Sequence, residues 1–260
     1  MKKERFLPYE MDYTILGKCR KYENLGIWMI SIISIVIPLI NEYFSNNTSI
    51  SLIVEFFDFI LIVAYYILNT VTEVFLYPAT ARKRRKGFID NSLGSKYLEK
   101  EVEGYYSNDG INKGPFKIIV NCGENCYFTY NIAKTMLPGI LIKNSICIIL
   151  FLTMAYFGFA GKSLFLPILQ IILSSLFLTE LIHHISFVVK LGQLFDRFKE
   201  AFSNINDEET LQKSILLLLD YETILAYNKA PLSDKIYKKI SKKLSAEWEN
   251  IKIRYDVCKK

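Results

Sequence analysis

The sequence predicts an all-α membrane protein with four transmembrane helices in two pairs and a mainly helical cytoplasmic domain built from the central insert and the C-terminal tail. Three observations predict this. Of 260 residues 51% are apolar, and they gather in four blocks, each long enough for the roughly 20-residue span of a bilayer core. The charged residues crowd into the segments between those blocks. Thirty of the 32 Lys and Arg fall in segments that this layout leaves on one side, the distribution that orients membrane proteins with their cations in the cytoplasm.

Residues 1–24 form a polar N-terminal segment carrying six cations, too long and polar for the start of a signal peptide. No small-residue cleavage pattern follows, so the first span is expected to be retained. The first hairpin, residues 25–79, holds spans at about 25–44 and 52–77. Pro38 is a tolerated kink in the first, and Pro78 follows the second. The insert, 80–136, precedes a second hairpin, 137–189, with spans at about 137–159 and 164–189. The tail occupies 190–260. The connector "SNNTS" has no cation and "FAGKS" only Lys162, so both loops face outward and both termini are cytoplasmic. The five consecutive cations Arg82 to Lys86 then serve first as a stop at the inner end of a span.

Ionisable groups within spans are costly and face a bundle interior or water. Glu73, Lys143 and Glu180 lie at similar depth, roughly 9 to 14 Å from the cytoplasmic boundary at 1.5 Å per residue. Lys143 paired with Glu180 or Glu73 reads equally as a structural staple or as a gate. His183 and His184 sit one turn nearer the cytoplasm and fill space between helices or at the membrane interface. An outer layer comprises Glu42, Glu55 and Asp58, which either lie among headgroups or form an acidic mouth attracting cations. Four helices are too few to line a pore comfortably, so a pore would form between protomers.

The insert has turn signals at "NSLGS" and "SNDGINKG". "FKIIVNCGENCYFTYNIAKTML" reads as an amphipathic helix with a break at Gly123, its Tyr127, Phe128 and Tyr130 facing a core. Past the fourth span, Leu191, Leu194, Phe195, Phe198 and Phe202 keep helical spacing. Asn206 or Asp207 caps the next helix, which Pro231 ends. Ser233 or Asp234 caps a last helix to about Tyr255, with Ile236, Ile240, Leu244, Trp248 and Ile251 on one face.

The five cysteines, Cys19, Cys122, Cys126, Cys147 and Cys258, are scattered and imply no disulfide framework. Cys122 and Cys126 are one turn apart but lack further ligands for zinc, so no metal is expected. No phosphate-binding glycine loop, G-x-S-x-G, H-E-x-x-H or Cys-His spacing occurs, which predicts a protein that is not an enzyme. A nucleic-acid polymer is not an expected partner either, because the basic run lacks a recognised motif and adjoins a span. A smaller phosphate-bearing ligand remains open, since Arg forks bind phosphate and aromatic rings stack on bases.

Three short stretches and the tail carry a resemblance. "FIDNSLG" sets Ile89 and Asp90 ahead of Leu93 and Gly94, "EGYYSND" presents Tyr105 and Tyr106, and "NCGENCYFTYNIAK" presents Asn125, Cys126 and Tyr127. The tail "APLSDKIYKKISKKLSAEWE" presents Pro231, Leu232, Asp234, Tyr237 and Glu247. In this layout they resemble the SMODS-associating four-transmembrane effectors, pore-forming proteins of bacterial anti-phage systems that signal with cyclic nucleotides. "SKYLEK" stands where that family often has an aromatic-rich Pro-Trp stretch. The resemblance implies an inner-membrane effector that contacts lipid, oligomerises with itself and disrupts the membrane. It uses no cofactor, and its regulatory ligand is a cyclic oligonucleotide made by a companion synthase, which opens the assembly or holds it shut. Messenger contacts would come from Arg82, Arg84, Arg85, Tyr105, Tyr106 and Asn125, and gating from Glu73, Lys143 and Glu180. A constitutive small channel or transporter subunit, or a membrane toxin restrained by a protein partner, fits the same layout.

Overall fold

The computed structural model describes residues 6–43, 48–156, 176–203, 207–228 and 232–257. Among these the chain is all-α: α1 (Glu10–Tyr43), α2 (Thr48–Thr70), a π-helical turn (Val71–Leu76), α3 (Tyr77–Leu93), α4 (Pro115–Tyr156), α5 (Leu176–Ser203), α6 (Asp207–Asn228) and α7 (Asp234–Arg254). The only departure from helix and loop among them is one antiparallel bridge between Phe6 and Glu103. Two compact units form, a polar one (Met1–Pro8, Arg85–Lys143, Thr179–Lys260) and an apolar one (Tyr9–Arg84, Asn144–Leu178).

In the apolar unit α1 runs antiparallel to α2 and α3. Gly26 lies against Tyr65, Arg20 meets Glu73, and Asp12 meets Lys83, so positions fall on one rod as they rise on the other. Glu10 and Asp12 in the first turn of α1 suit its positive N-terminal end. Among the described residues, one helix, Leu52–Leu93, is long and apolar enough to cross a membrane, and none of its apolar window is buried. The first part of the expected fourth span, 164–175, falls outside the described residues, and its remainder lies in α5.

The second span was expected to run to Tyr77 with Pro78 after it; the helix that carries it passes through Pro78 and continues to Leu93. A proline inside a helix donates no hydrogen bond, and its ring crowds the carbonyl four residues back, here Val74. The wider π turn surrounds that carbonyl, and the Tyr77 N–H donates to Thr72 O instead of to the residue four back. Thr72 is fully buried, and its hydroxyl donates to Leu68 O at 2.8 Å. A π turn holds one residue more than α geometry needs. A chain lacking Val74 is therefore expected to keep both flanks in place. Loss of Ala64 from α2 would turn every later residue by about 100° and break the Arg20–Glu73 pairing. Unfolding midpoints of the two deletions in detergent check this, and equal damage from both would refute it.

The polar unit is organised by Asp90. Its buried carboxylate accepts from Ser95 Oγ at 2.7 Å and from the N–H groups of Tyr97 and Leu98 at 2.8 Å, fixing the connector that follows α3. Gly94 ends α3 with φ of 76°, and its N–H donates to Asp90 O at 2.9 Å, a C-terminal turn that favours glycine. Pro115 opens α4, where its missing N–H costs nothing. The break expected at Gly123 does not occur; α4 runs straight through it. The glycine is needed for packing, since a Cβ there would come within 2.7 Å of Phe202 Cζ on α5. Reciprocally, Gly192 of α5 receives the ring of Tyr130 from α4. The stripe Leu191, Leu194, Phe195, Phe198 and Phe202 is buried as its spacing predicts, and Ser233 caps α7 by accepting from the Ile236 N–H at 3.3 Å.

Candidate functional site

Along α4, Lys117, Asn121 and Glu124 follow one another at spacings of four and three, a polar seam near the start of a helix whose buried side chains are mostly apolar. Burial without partners would cost each of them a few kcal/mol. Glu124 Oε2 accepts from Asn108 Nδ2 at 2.6 Å, and Oε1 accepts from Ser107 Oγ at 3.3 Å. Asn108 also donates to Asn121 Oδ1 at 2.9 Å, and Asn121 donates onward to Asn91 Oδ1 and Ser92 Oγ at 2.9 and 3.0 Å. From α7, Lys252 reaches in to donate to the Ser107 carbonyl at 2.9 Å and its hydroxyl at 3.3 Å, while also meeting Glu249 at 2.8 Å. The end of α3, the connector, α4 and α7 are thus tied by one buried polar network.

Electrostatics follow from burial. Removal from water pushes the Glu124 carboxyl up to about 7, against the opposing pull of the Lys252 ammonium and the Ser107 and Asn108 hydrogen bonds. Desolvation likewise lowers the Lys117 amine, with Asp109 opposing and Lys113 assisting. Burial raises the Cys126 thiol well above the ordinary range. A thiol so resistant to ionisation is a packing group and a poor nucleophile. The Tyr127 hydroxyl is also raised, first by burial and then by its bond to Glu247.

Beside the network lie the sequence-predicted aromatics. Tyr106 is buried edge-on to Phe88 and Tyr105, at ring separations of 6.2 and 4.8 Å, and its hydroxyl accepts from Asn125 Nδ2 at 3.3 Å. Tyr105 keeps 37% of its surface exposed, enough to offer a ring face. Arg85 pairs with Glu222 of α6 at 3.6 Å. Tyr105, Tyr106, Asn125 and Arg85 all belong to the polar unit, whereas Arg82 and Arg84 fall in the apolar unit. Tyr127 donates to Glu247 Oε2 at 2.6 Å and stacks on Trp248, joining the α4 motif to the tail motif. No family model, curated protein or solved structure matches the chain.

The intramembrane candidates distribute differently. Glu73 sits within the π turn and pairs with Arg20 at 3.4 Å, and the Arg20 guanidinium also covers the Tyr77 ring. Glu73 thus meets Arg20, a cation of the N-terminal segment, whereas the sequence offers Lys143 as a partner of Glu180 or Glu73. Lys143 is half-buried on α4, Glu55 is exposed and Asp58 half-buried on α2. Glu42 and Glu180 lie on α1 and α5, with side chains outside the described residues. His184 is buried against Ala133 O at 2.8 Å, and His183 is exposed.

The sequence reading missed Arg20, Asn108, Asn121, Glu124 and Lys252. The polar seam on α4 was a usable signal for Asn121 and Glu124. For Arg20 and Lys252 there was none, because each stands among other cations whose count carried the topology.

Proposed function

We propose that the chain is a multi-pass effector of the bacterial inner membrane, four spans in two hairpins with both termini cytoplasmic, acting in anti-phage defence. A cyclic oligonucleotide from a companion synthase controls it, and an oligomer of the chain disrupts the membrane to arrest growth or kill the cell. The observation that carries this reading is the Leu52–Leu93 helix. It starts as an exposed apolar stretch of membrane length and ends in Phe88, Asp90 and Ser92, buried in the polar unit. A rod of that kind gives movement around the polar network a covalent path into the membrane. The quoted family-like stretches also meet in space, through Tyr106 with Asn125 and Tyr127 with Glu247. In this reading Tyr105 stacks on a base, Asn125 and Arg85 serve its polar edges and phosphates, and Glu73 with Arg20 belongs to the gate.

Dye release from liposomes carrying the purified chain, with a panel of cyclic oligonucleotides, tests it. At least one nucleotide is expected to change the leak, and Tyr105→Ala to blunt that response by about tenfold in concentration, the loss of one stacking contact. Absence of leak under every condition would sink the pore, and a leak indifferent to all nucleotides would sink the sensor.

A further inference from the structure

A surface helix ordinarily turns its apolar side to the core and its polar side to water. In α6 large apolar side chains stand on both sides, with Gln212 among those exposed. Thr210, Ser214, Leu217 and Tyr221 are its buried stripe, while Leu211, Ile215, Leu216 and Leu219 are 49–58% exposed. At about 100° per residue, these four fan across the side opposite the buried stripe.

Among the described residues, the charges rimming this face are paired within the chain. Glu209 pairs with Lys213 at 2.7 Å, Glu222 with Arg85 at 3.6 Å, and Asp220 with Arg197. A helix that lies on an anionic membrane carries a row of cations beside its apolar face. Lys213 is the one cation in the α6 sequence, and it is held by Glu209. The face therefore recruits neither an anionic surface nor a strongly charged protein, and it suits a surface like itself.

Its size narrows the partner further. Four half-exposed aliphatic side chains offer roughly 400 Å², at the scale where an apolar patch marks an interaction site. Two such faces bury roughly 800 Å² together, short of the about 1,200 Å² of a stable complex between free partners. A contact of that size holds only when something else already keeps the partners close.

We propose that the Leu211–Ile215–Leu216–Leu219 face of α6 is a self-association surface, covered by the same face of a second copy of this chain within the membrane-bound oligomer. The inference rests on the oligomeric reading above and adds the surface that such an oligomer uses.

The full chain is reconstituted in liposomes and oxidised as Ile215→Cys and Leu219→Cys variants, singly and mixed, with Lys239→Cys on α7 as the control. Cross-linked dimer is expected with the α6 variants, above both the wild-type background from native cysteines and the control. Leu219→Gln is expected to weaken self-association, followed by dilution in detergent, by roughly tenfold while leaving the unfolding midpoint in place. Oligomers that form while α6 cysteines cross-link no better than the control overturn this surface and leave the oligomeric reading standing. A chain that stays monomeric in both settings overturns both. Quenching of a fluorophore at position 215 by spin-labelled lipid, without cross-linking, assigns the face to the membrane and overturns it too.

Discussion

Trp248→Ala is expected to destabilise the polar unit by about 3–5 kcal/mol, the range for deleting a large buried aromatic. The indole is 1% exposed, stacked on Tyr127 at 6.0 Å and edge-on to Phe202 at 6.1 Å, so it joins α7 to both α4 and α5. Because whole domains are stable by only about 5–15 kcal/mol, this loss is a large share of the total. Denaturant unfolding of the full chain in detergent, read by circular dichroism, checks it. Two companions sharpen the reading. Trp248→Phe is expected to cost far less, because the indole N–H is buried without a hydrogen-bond partner among the described residues and its removal strands nothing. Ile253→Ala, at a position 73% exposed, is expected to change stability by less than about 0.5 kcal/mol. If the alanine at 248 cost no more than the one at 253, α7 would not be docked as described.

The second large effect is a pH dependence that runs opposite to the usual carboxylate. Folding raises the Glu124 carboxyl from 4.5 to about 7, so between those values the folded chain holds a proton that the unfolded chain has released. Stability contributed by this group is complete below about pH 4.5 and is lost as pH rises toward and past 7. The full swing is about 3 kcal/mol, taking 1.36 kcal/mol per pH unit. Glu124→Gln keeps the side chain's size and removes the titration, so its stability is expected to be flatter than wild type across pH 5 to 8. Parallel unfolding curves of the two chains across that range measure the difference. A wild-type chain that gained stability over Glu124→Gln as pH rose would reverse the sign and refute the burial argument.

Helical class and several helix boundaries were legible because they depend on local rules. Ser233 caps α7 because its hydroxyl reaches the Ile236 N–H, and the Leu191-to-Phe202 stripe packs because its spacing follows the helical repeat. The family-like residues Asp90, Tyr106 and Asn125 were also singled out, although the carboxylate's work, holding three donors of the connector, was not visible. What escaped depends on partners distant in sequence. Nothing near Glu124 says that Asn108 and Lys252 come to it, and nothing near Glu73 selects Arg20 from the cations of the N-terminal segment. In α6 the pattern itself misleads, since four consecutive leucines, residues 216 to 219, read as core from any side, yet the buried stripe is the one with Thr210 and Ser214. Gly123 looked like a helix breaker because its propensity is poor, but the close approach of α5 outweighs about 1 kcal/mol of propensity.

The exchange of aromatics between α4 and α5 has a mechanical consequence. Phe202 fills the space above Gly123, and Tyr130 fills the space above Gly192. Sliding either rod by one residue would drive both rings into backbone that carries a Cβ, so shear between α4 and α5 is blocked at two points. These rods lead directly to and from the apolar segments at 137–159 and 164–189. Any displacement delivered to them is therefore carried by the two together, as a tilt or a rotation of one body.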